Sequence, residues 1–173
     1  MEHLKSKIRH VPDFPKPGIL FYDITTLLRD PVGLTQSVEG LAEPFKDHQI
    51  DLVAGIESRG FILGAAVADR LHTGFVPVRK PGKLPSTTIR ESYDLEYGSD
   101  SLEIHSDAIE KDQRILIVDD LLATGGTAAA ALSLLRKAGG NVVGLAFLLE
   151  LEFLKGRKRL GDTPLFVGLQ YKS

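Results

Sequence analysis

Short continuous apolar runs alternate along this chain with segments whose apolar residues recur at helical spacing. Residues 51–56 (DLVAGI), 74–79 (GFVPVR), 114–118 (RILIV), 142–150 (VVGLAFLLE) and 165–170 (LFVGLQ) predict strands. A helix over 60–71 is expected behind the first of these. Another, over 126–138, is expected behind the third and closed by Gly139-Gly140 as a C-terminal cap. Further upstream, Leu34, Val38, Leu41 and Phe45 fall on one helical face. Asp30-Pro31 supplies their cap and first turn, and Pro44 marks an early end. Residues 5–10 suggest a short helix and 11–23 (VPDFPKPGILFYD) an irregular stretch. Residues 80–100 form a long segment rich in Gly, Pro and charge, and "LEYGSDSLEIH" (95–105) suggests a hairpin.

The repeated order strand-loop-helix predicts an α/β fold with a mainly parallel sheet flanked by helices. Ligands of such sheets bind beyond the carboxyl ends of the strands. The loops 57–60, 80–100 and 119–127 occupy such ends and can converge on one site.

A length of 173 residues fits one domain able to bury a real core. The formal net charge of −2 gives no electrostatic case for binding nucleic acid or a membrane surface, so any anion site must be local. There is no cysteine, hence no disulfide, thiolate nucleophile or zinc ribbon. No apolar run reaches the roughly 18 residues of a membrane span. The charged N-terminus, "MEHLKSKIRHVPDFPKPG", lacks the apolar centre of a signal peptide. The expected location is the cytoplasm. No internal repeat appears, and the five histidines form no metal-ligand spacing.

The chemistry concentrates in "RILIVDDLLATGGT" (114–127). Ala123, Thr124, Gly125, Gly126 and Thr127 bring small side chains, two glycines and two hydroxyls to the start of a helix. Such a loop lets backbone N–H groups converge on an oxyanion. Taken alone, these residues also suit a plain strand-to-helix turn. The spacing and lysine of a Walker A loop are missing, which removes the simplest ATPase reading. Asp119 and Asp120 change the picture, because two consecutive acids at the mouth of an apolar strand are costly without partners. Vicinal hydroxyls, a hydrated divalent cation or a transient positive charge on a ligand would each satisfy them.

Four apolar residues, two acids and a loop of this form resemble the phosphoribosyl-diphosphate signature of type I phosphoribosyltransferases. The likeness extends over nearly the whole chain to the adenine branch of that family. "FPKPGILFYDIT", "ESRGF", "VRKPGKLP", "SYDLEYG" and "VDDLLATGGT" stand in its order and spacing. The resemblance implies the type I fold with a small N-terminal hood. One domain would span 1–173, with residues 1–30 contributing the base-binding hood and 80–100 a flexible catalytic loop.

Residue by residue, the resemblance places Ala123 to Thr127 on a 5′-phosphate and Asp119 and Asp120 on the ribose hydroxyls. Glu57, Ser58 and Arg59 become the diphosphate loop, whose peptide is often cis in this family. Arg79, Lys80 and Lys83 otherwise suit a solvated basic surface. By resemblance, Arg79 and Lys83 face the diphosphate of a neighbouring subunit, which implies a homodimer. Phe21 would stack on adenine while the backbone at Leu20 and Tyr22 reads the base edge. Several relatives carry a basic residue at the position of Tyr22. Glu96 and Tyr97 would close over the reaction centre, with Glu96 a candidate for proton transfer at the purine N7. Relatives acting on hypoxanthine or guanine commonly place an aspartate at the position of Ala123, so alanine favours adenine. Mg²⁺ would arrive with the diphosphate substrate, not in a protein cage, so no metal ligand is assigned to the chain.

The activity implied is transfer of 5-phosphoribosyl from its 1-diphosphate to adenine, giving AMP and diphosphate. The rivals are transfer to another purine such as xanthine, and a non-catalytic regulator that keeps the diphosphate site.

Overall fold

The computed structural model describes residues 1–94 and 99–172. A 3₁₀ turn over Glu2–Lys7 leads into strand β1 (Arg9–Pro12), which pairs antiparallel with β2 (Leu20–Asp23). Helices α1 (Thr25–Arg29) and α2 (Pro31–Ala42) follow, then β3 (Leu52–Ile56), α3 (Arg59–Leu71) and β4 (Gly74–Val78). A hairpin of β5 (Thr88–Asp94) and β6 (Ser99–His105) precedes β7 (Arg114–Leu122), α4 (Gly126–Lys137), β8 (Asn141–Leu151) and β9 (Leu165–Tyr171).

The predicted strands assemble into one parallel sheet of order β4-β3-β7-β8-β9. Its layers follow from the two-residue period of β7. Ile115 and Ile117 face one core with Leu134 and Leu135 of α4 and with Leu102 and Ile104 of β6. Leu116 and Val118 face the other, with Leu41 of α2, Leu63 and Val67 of α3, and Leu4 and Tyr22 of the N-terminal segment. Helices therefore cover both faces, as the run of uninterrupted apolar strands predicts.

Several expectations are corrected. Residues 9–10 belong to β1, not to a helix, and the supposedly irregular stretch contains the β1–β2 hairpin. Its prolines lie at the end of β1 and in the turn, where no ladder N–H is needed. The second hairpin begins at Thr88, upstream of the expected segment, because the polar face of β5 hides its alternation. The Asp30 carboxylate accepts from the Gly33 N–H at 2.8 Å and caps α2, as predicted, and Pro44 falls in a short 3₁₀ turn behind it. Gly139 and Gly140 donate back to Arg136 and Leu135 and close α4.

Candidate active site

The strand order reverses between β3 and β7: the chain leaves β3 for β4 on one side and returns to β7 on the other. Crevices at such a reversal are where parallel α/β sheets hold ligands. Arg59, the first residue of α3, and Asp120 of β7 meet across it, with Arg59 Nε 2.9 Å from Asp120 Oδ2.

Asp119 and Asp120 lie in the strand, not in the loop expected from 119 onwards. The ladder to β8 continues through Asp119–Phe147 and Leu121–Leu149 to Leu122–Glu150. Long apolar β8 offers partners beyond the end of the predicted β7, and this extra pairing carries the two acids into the sheet. Asp120 is buried, at 5% exposure. Arg59 stands at ion-pair distance, yet its N–H is not aimed at the carboxylate, and Asp120 Oδ2 is left without a hydrogen bond. Asp119 Oδ1 accepts from the Asp120 N–H at 2.9 Å. Burial pushes the Asp119 carboxyl well above the usual carboxylate range, and the neighbouring charge of Asp120 pushes it further. Burial also raises Asp120, while the positive charge of Arg59 opposes the rise. Two acids held this way are built to receive hydroxyl donors or positive charge.

Gly60 makes room for them. A Cβ there would lie 2.7 Å from Asp119 Oδ1 and 3.0 Å from the Val118 carbonyl.

Beyond the acids, Asp119 and residues 121–128 line a cavity of about 70 Å³. Gly125, the N-cap of α4, has φ of 80°, a left-handed conformation that glycine adopts without strain. Thr124 is exposed and Thr127 partly buried at this helix start. Gly126, Thr127 and Ala128 of the first turn line this cavity, and the N–H groups that a helix start leaves without intrahelical partners suit a phosphate.

At the end of β3 the Glu57-Ser58 peptide is cis. Arg79 clasps the Glu57 carboxylate with two N–H groups, at 3.2 and 3.0 Å, and the Lys80 N–H adds a third at 2.9 Å. The Arg79 hydrogen bonds hold the Glu57 carboxyl below its ordinary range against burial. Arg79 also donates to the Lys83 carbonyl at 3.2 Å, leaving the Lys83 side chain exposed. The Lys80 ammonium pairs with Asp100 and donates to the Tyr93 hydroxyl at 3.1 Å. Thr127 Oγ1 in turn donates to that hydroxyl at 3.3 Å. Tyr93 thus joins the basic segment to the phosphate loop.

In the N-terminal hairpin, Phe21 and Tyr22 point to opposite sides, as strand neighbours must. The Phe21 ring lies 5.3 Å from the Arg59 guanidinium and edge-on to Phe14 at 5.1 Å. Leu20 is exposed. Tyr22 is buried, its ring 4.0 Å from that of Tyr171 and 5.1 Å from His10, so its side chain belongs to the core.

The structure therefore gathers Phe21, Arg59, Asp119, Asp120 and the 123–127 loop around one crevice, with Glu57, Arg79 and Lys80 linked to each other beside it. Glu96 and Tyr97 lie outside the described residues. The sequence assigns no role to Tyr93, Asp100 or the basic turn around Gly156 (LKGRKRLG), which it shows only as the link between the last two strands. Recognising strand 88–94 is the signal that would have pointed Tyr93 inward. Gly156 gave none, because its contact with the phosphate loop is purely tertiary. Among the described residues, no three His, Cys, Asp or Glu side chains group to hold a metal ion, and no helix is long and apolar enough to cross a membrane.

The family model described as the phosphoribosyl transferase domain matches residues 33–166. The adenine phosphoribosyltransferase of Acidobacterium capsulatum is 63% identical over 170 residues, covering 98% of this chain and 94% of that one. That of Solibacter usitatus is 60% identical, covering 99% of each. Among solved structures, adenine phosphoribosyltransferase from Rhodothermus marinus superposes with a TM-score of 0.94 at 57% identity, over 98% of this chain and 97% of that one. The enzyme from Saccharomyces cerevisiae, solved with an imino-altritol bisphosphate and adenine, gives 0.91 at 43% identity, over 96% and 97%. The chain belongs to the phosphoribosyltransferase family with the type I fold and, within it, to the adenine phosphoribosyltransferases.

Proposed function

We propose that the chain transfers the 5-phosphoribosyl group of phosphoribosyl diphosphate to N9 of adenine, giving AMP and diphosphate. The observation that carries this reading is the Asp119–Asp120 pair, Asp120 buried and Asp119 half-buried, set between a phosphate cradle and Arg59. A phosphorylated ribose with a diphosphate at its far end is complementary to all three. The high identity to adenine phosphoribosyltransferases supports adenine as the acceptor.

Residues 123–127 take the 5′-phosphate, and the two carboxylates accept hydrogen bonds from the ribose hydroxyls. Fixing both ends of the sugar sets C1′ between base and leaving group. Bond breaking at C1′ runs ahead of bond making, through an oxocarbenium-like sugar as in glycoside hydrolysis. Asp119 and Asp120 stabilise the positive charge that develops there. Arg59, with Lys80 and the backbone at Glu57-Ser58, receives the departing diphosphate. Mg²⁺ would arrive with the diphosphate substrate and supply positive charge against it, a mode that suits its reluctance to shed water.

Phe21 stacks on adenine from a hood formed by residues 1–30, with the backbone at Leu20 and Tyr22 reading its edge. Residues 80–100 close over the site, exclude water and bring Tyr97 and the proton-transfer group Glu96 to the purine. In a homodimer, Arg79 and Lys83 reach the partner's diphosphate. Arg79 must then exchange its Glu57 clasp for the substrate. The compartment proposed is the cytoplasm.

The test is incubation of the purified protein with labelled adenine, phosphoribosyl diphosphate and Mg²⁺, beside hypoxanthine, guanine and xanthine. Labelled AMP from adenine alone is expected. Failure to form any nucleotide would overturn the reading.

A further inference from the structure

We propose that Arg159 is a ligand of the substrate's 5′-phosphate, presented by a basic turn that forms the second wall of the phosphate site. The proposal rests on reading residues 123–127 as the phosphate loop.

The turn, "LKGRKRLG" (154–161), lies between β8 and β9 and contains a 3₁₀ turn over Gly156–Arg159. Gly156 packs directly on the phosphate loop. A Cβ on Gly125 would strike the Gly156 carbonyl, and a Cβ on Gly156 would strike the Ala123 carbonyl. Two backbones can approach this closely only because both residues are glycine. Next to it, Arg157 forks onto the Glu150 carboxylate with two bonds of 2.6 Å. Glu150 is 1% exposed and also accepts from Gln170 at 3.1 Å. This ion pair pins the turn to the end of β8.

Arg159 then projects from a fixed base. Its Nη1 lies 3.8 Å from the point where a Cβ on Gly126 would stand, beside the first turn of α4. Arg159 is exposed, and it has no hydrogen bond or ion pair among the described residues. A guanidinium placed beside the positive end of a twelve-residue helix without an acidic partner gains no attraction from that dipole. A phosphate seated in the cradle supplies the attraction. It accepts from the helix N–H groups on one side and from Arg159 on the other. Arg157 is a positioning residue in this arrangement, its own charge being taken by Glu150.

The test compares binding of AMP and adenosine, which differ only in the phosphate, by titration calorimetry. Wild type, Arg159→Ala, Arg159→Lys and the neighbouring Lys158→Ala are measured. Arg159→Ala should weaken AMP about tenfold or more, the scale of a charge-assisted hydrogen bond. It should leave adenosine binding and the melting temperature of the free protein unchanged. Arg159→Lys should restore part of the loss, and Lys158→Ala should bind AMP as wild type does. Equal AMP affinity in wild type and Arg159→Ala overturns the proposal, as does an equal loss for adenosine. A wild-type protein that fails to bind AMP overturns the functional reading beneath it as well.

Discussion

Arg59 stands 2.9 Å from the buried Asp120 carboxylate without giving it a hydrogen bond. The pair spans the reversal of the sheet and balances charge while leaving an acceptor oxygen open. A guanidinium that fully clasped Asp120 would compete with ribose hydroxyls for the same oxygen. Loose pairing keeps the acid ionisable and the acceptor available.

Replacing both acids, Asp119→Asn with Asp120→Asn, removes buried like charge. The double variant should therefore fold at least as stably as wild type near neutral pH while losing turnover, by about a hundredfold or more. Stability by thermal melting and AMP formation by chromatography are the two readouts. Near-normal AMP formation would remove the ribose assignment.

The same acids set a pH dependence. The Asp119 carboxyl is raised above its unfolded value of 3.8, so between that value and its folded pKa the native state holds a proton that the unfolded chain has released. Asp119 therefore costs stability progressively as pH rises through that window, and the full cost stands above it. Glu57 and Asp23, whose carboxyls are lowered, act in the opposite direction, losing stability as pH falls. Comparing wild type with Asp119→Asn cancels those contributions. In urea unfolding, the variant's advantage should grow from about pH 4 upwards; a constant difference across pH would show that Asp119 does not titrate in this way.

The reasons the sequence reveals some of this and hides the rest are physical. The five central strands are apolar on both faces, so their runs stand out without reference to partners. Asp30-Pro31 and Gly139-Gly140 mark helix ends through local backbone chemistry alone. The β1–β2 hairpin and β5 carry mixed polar faces, and their pairing is decided at long range. At the site, Asp119, Asp120 and the 123–127 loop are adjacent in sequence and legible there. The acids' place inside β7 depended on the length of β8. The Tyr93 hydroxyl network depended on a fold contact between β5 and the start of α4.

Gly60 tests how tightly the acids are housed. In Gly60→Ala, the new Cβ meets Asp119 Oδ1 at 2.7 Å and the Val118 carbonyl at 3.0 Å, and the second of these is backbone that cannot rotate away. We expect a stability loss of about 1–3 kcal/mol, the range of overpacking in a filled site. A larger relative loss in kcat/KM for phosphoribosyl diphosphate should accompany it, because Asp119 is displaced. An active variant with an unshifted melting temperature would show that the site yields more easily than this packing implies.

Tyr93→Phe isolates the link between the basic segment and the phosphate loop. The ring remains beside Gly126, its carbons 3.6 and 3.9 Å from where a Cβ would stand, so packing is kept. Only the hydroxyl that receives Lys80 at 3.1 Å and Thr127 at 3.3 Å is removed. Lys80 retains Asp100, which limits the stability cost to about 1 kcal/mol or less. The loss should appear mainly as a rise in KM for phosphoribosyl diphosphate, about threefold to tenfold, because Lys80 and Thr127, both released by the change, are residues proposed to bind that substrate. KM for adenine should stay within twofold or so, since the partners of this hydroxyl, Lys80, Asp100 and Thr127, include none of the residues proposed to hold adenine. Equal rises in both constants would mean that the hydroxyl supports the site as a whole, not the phosphate side in particular.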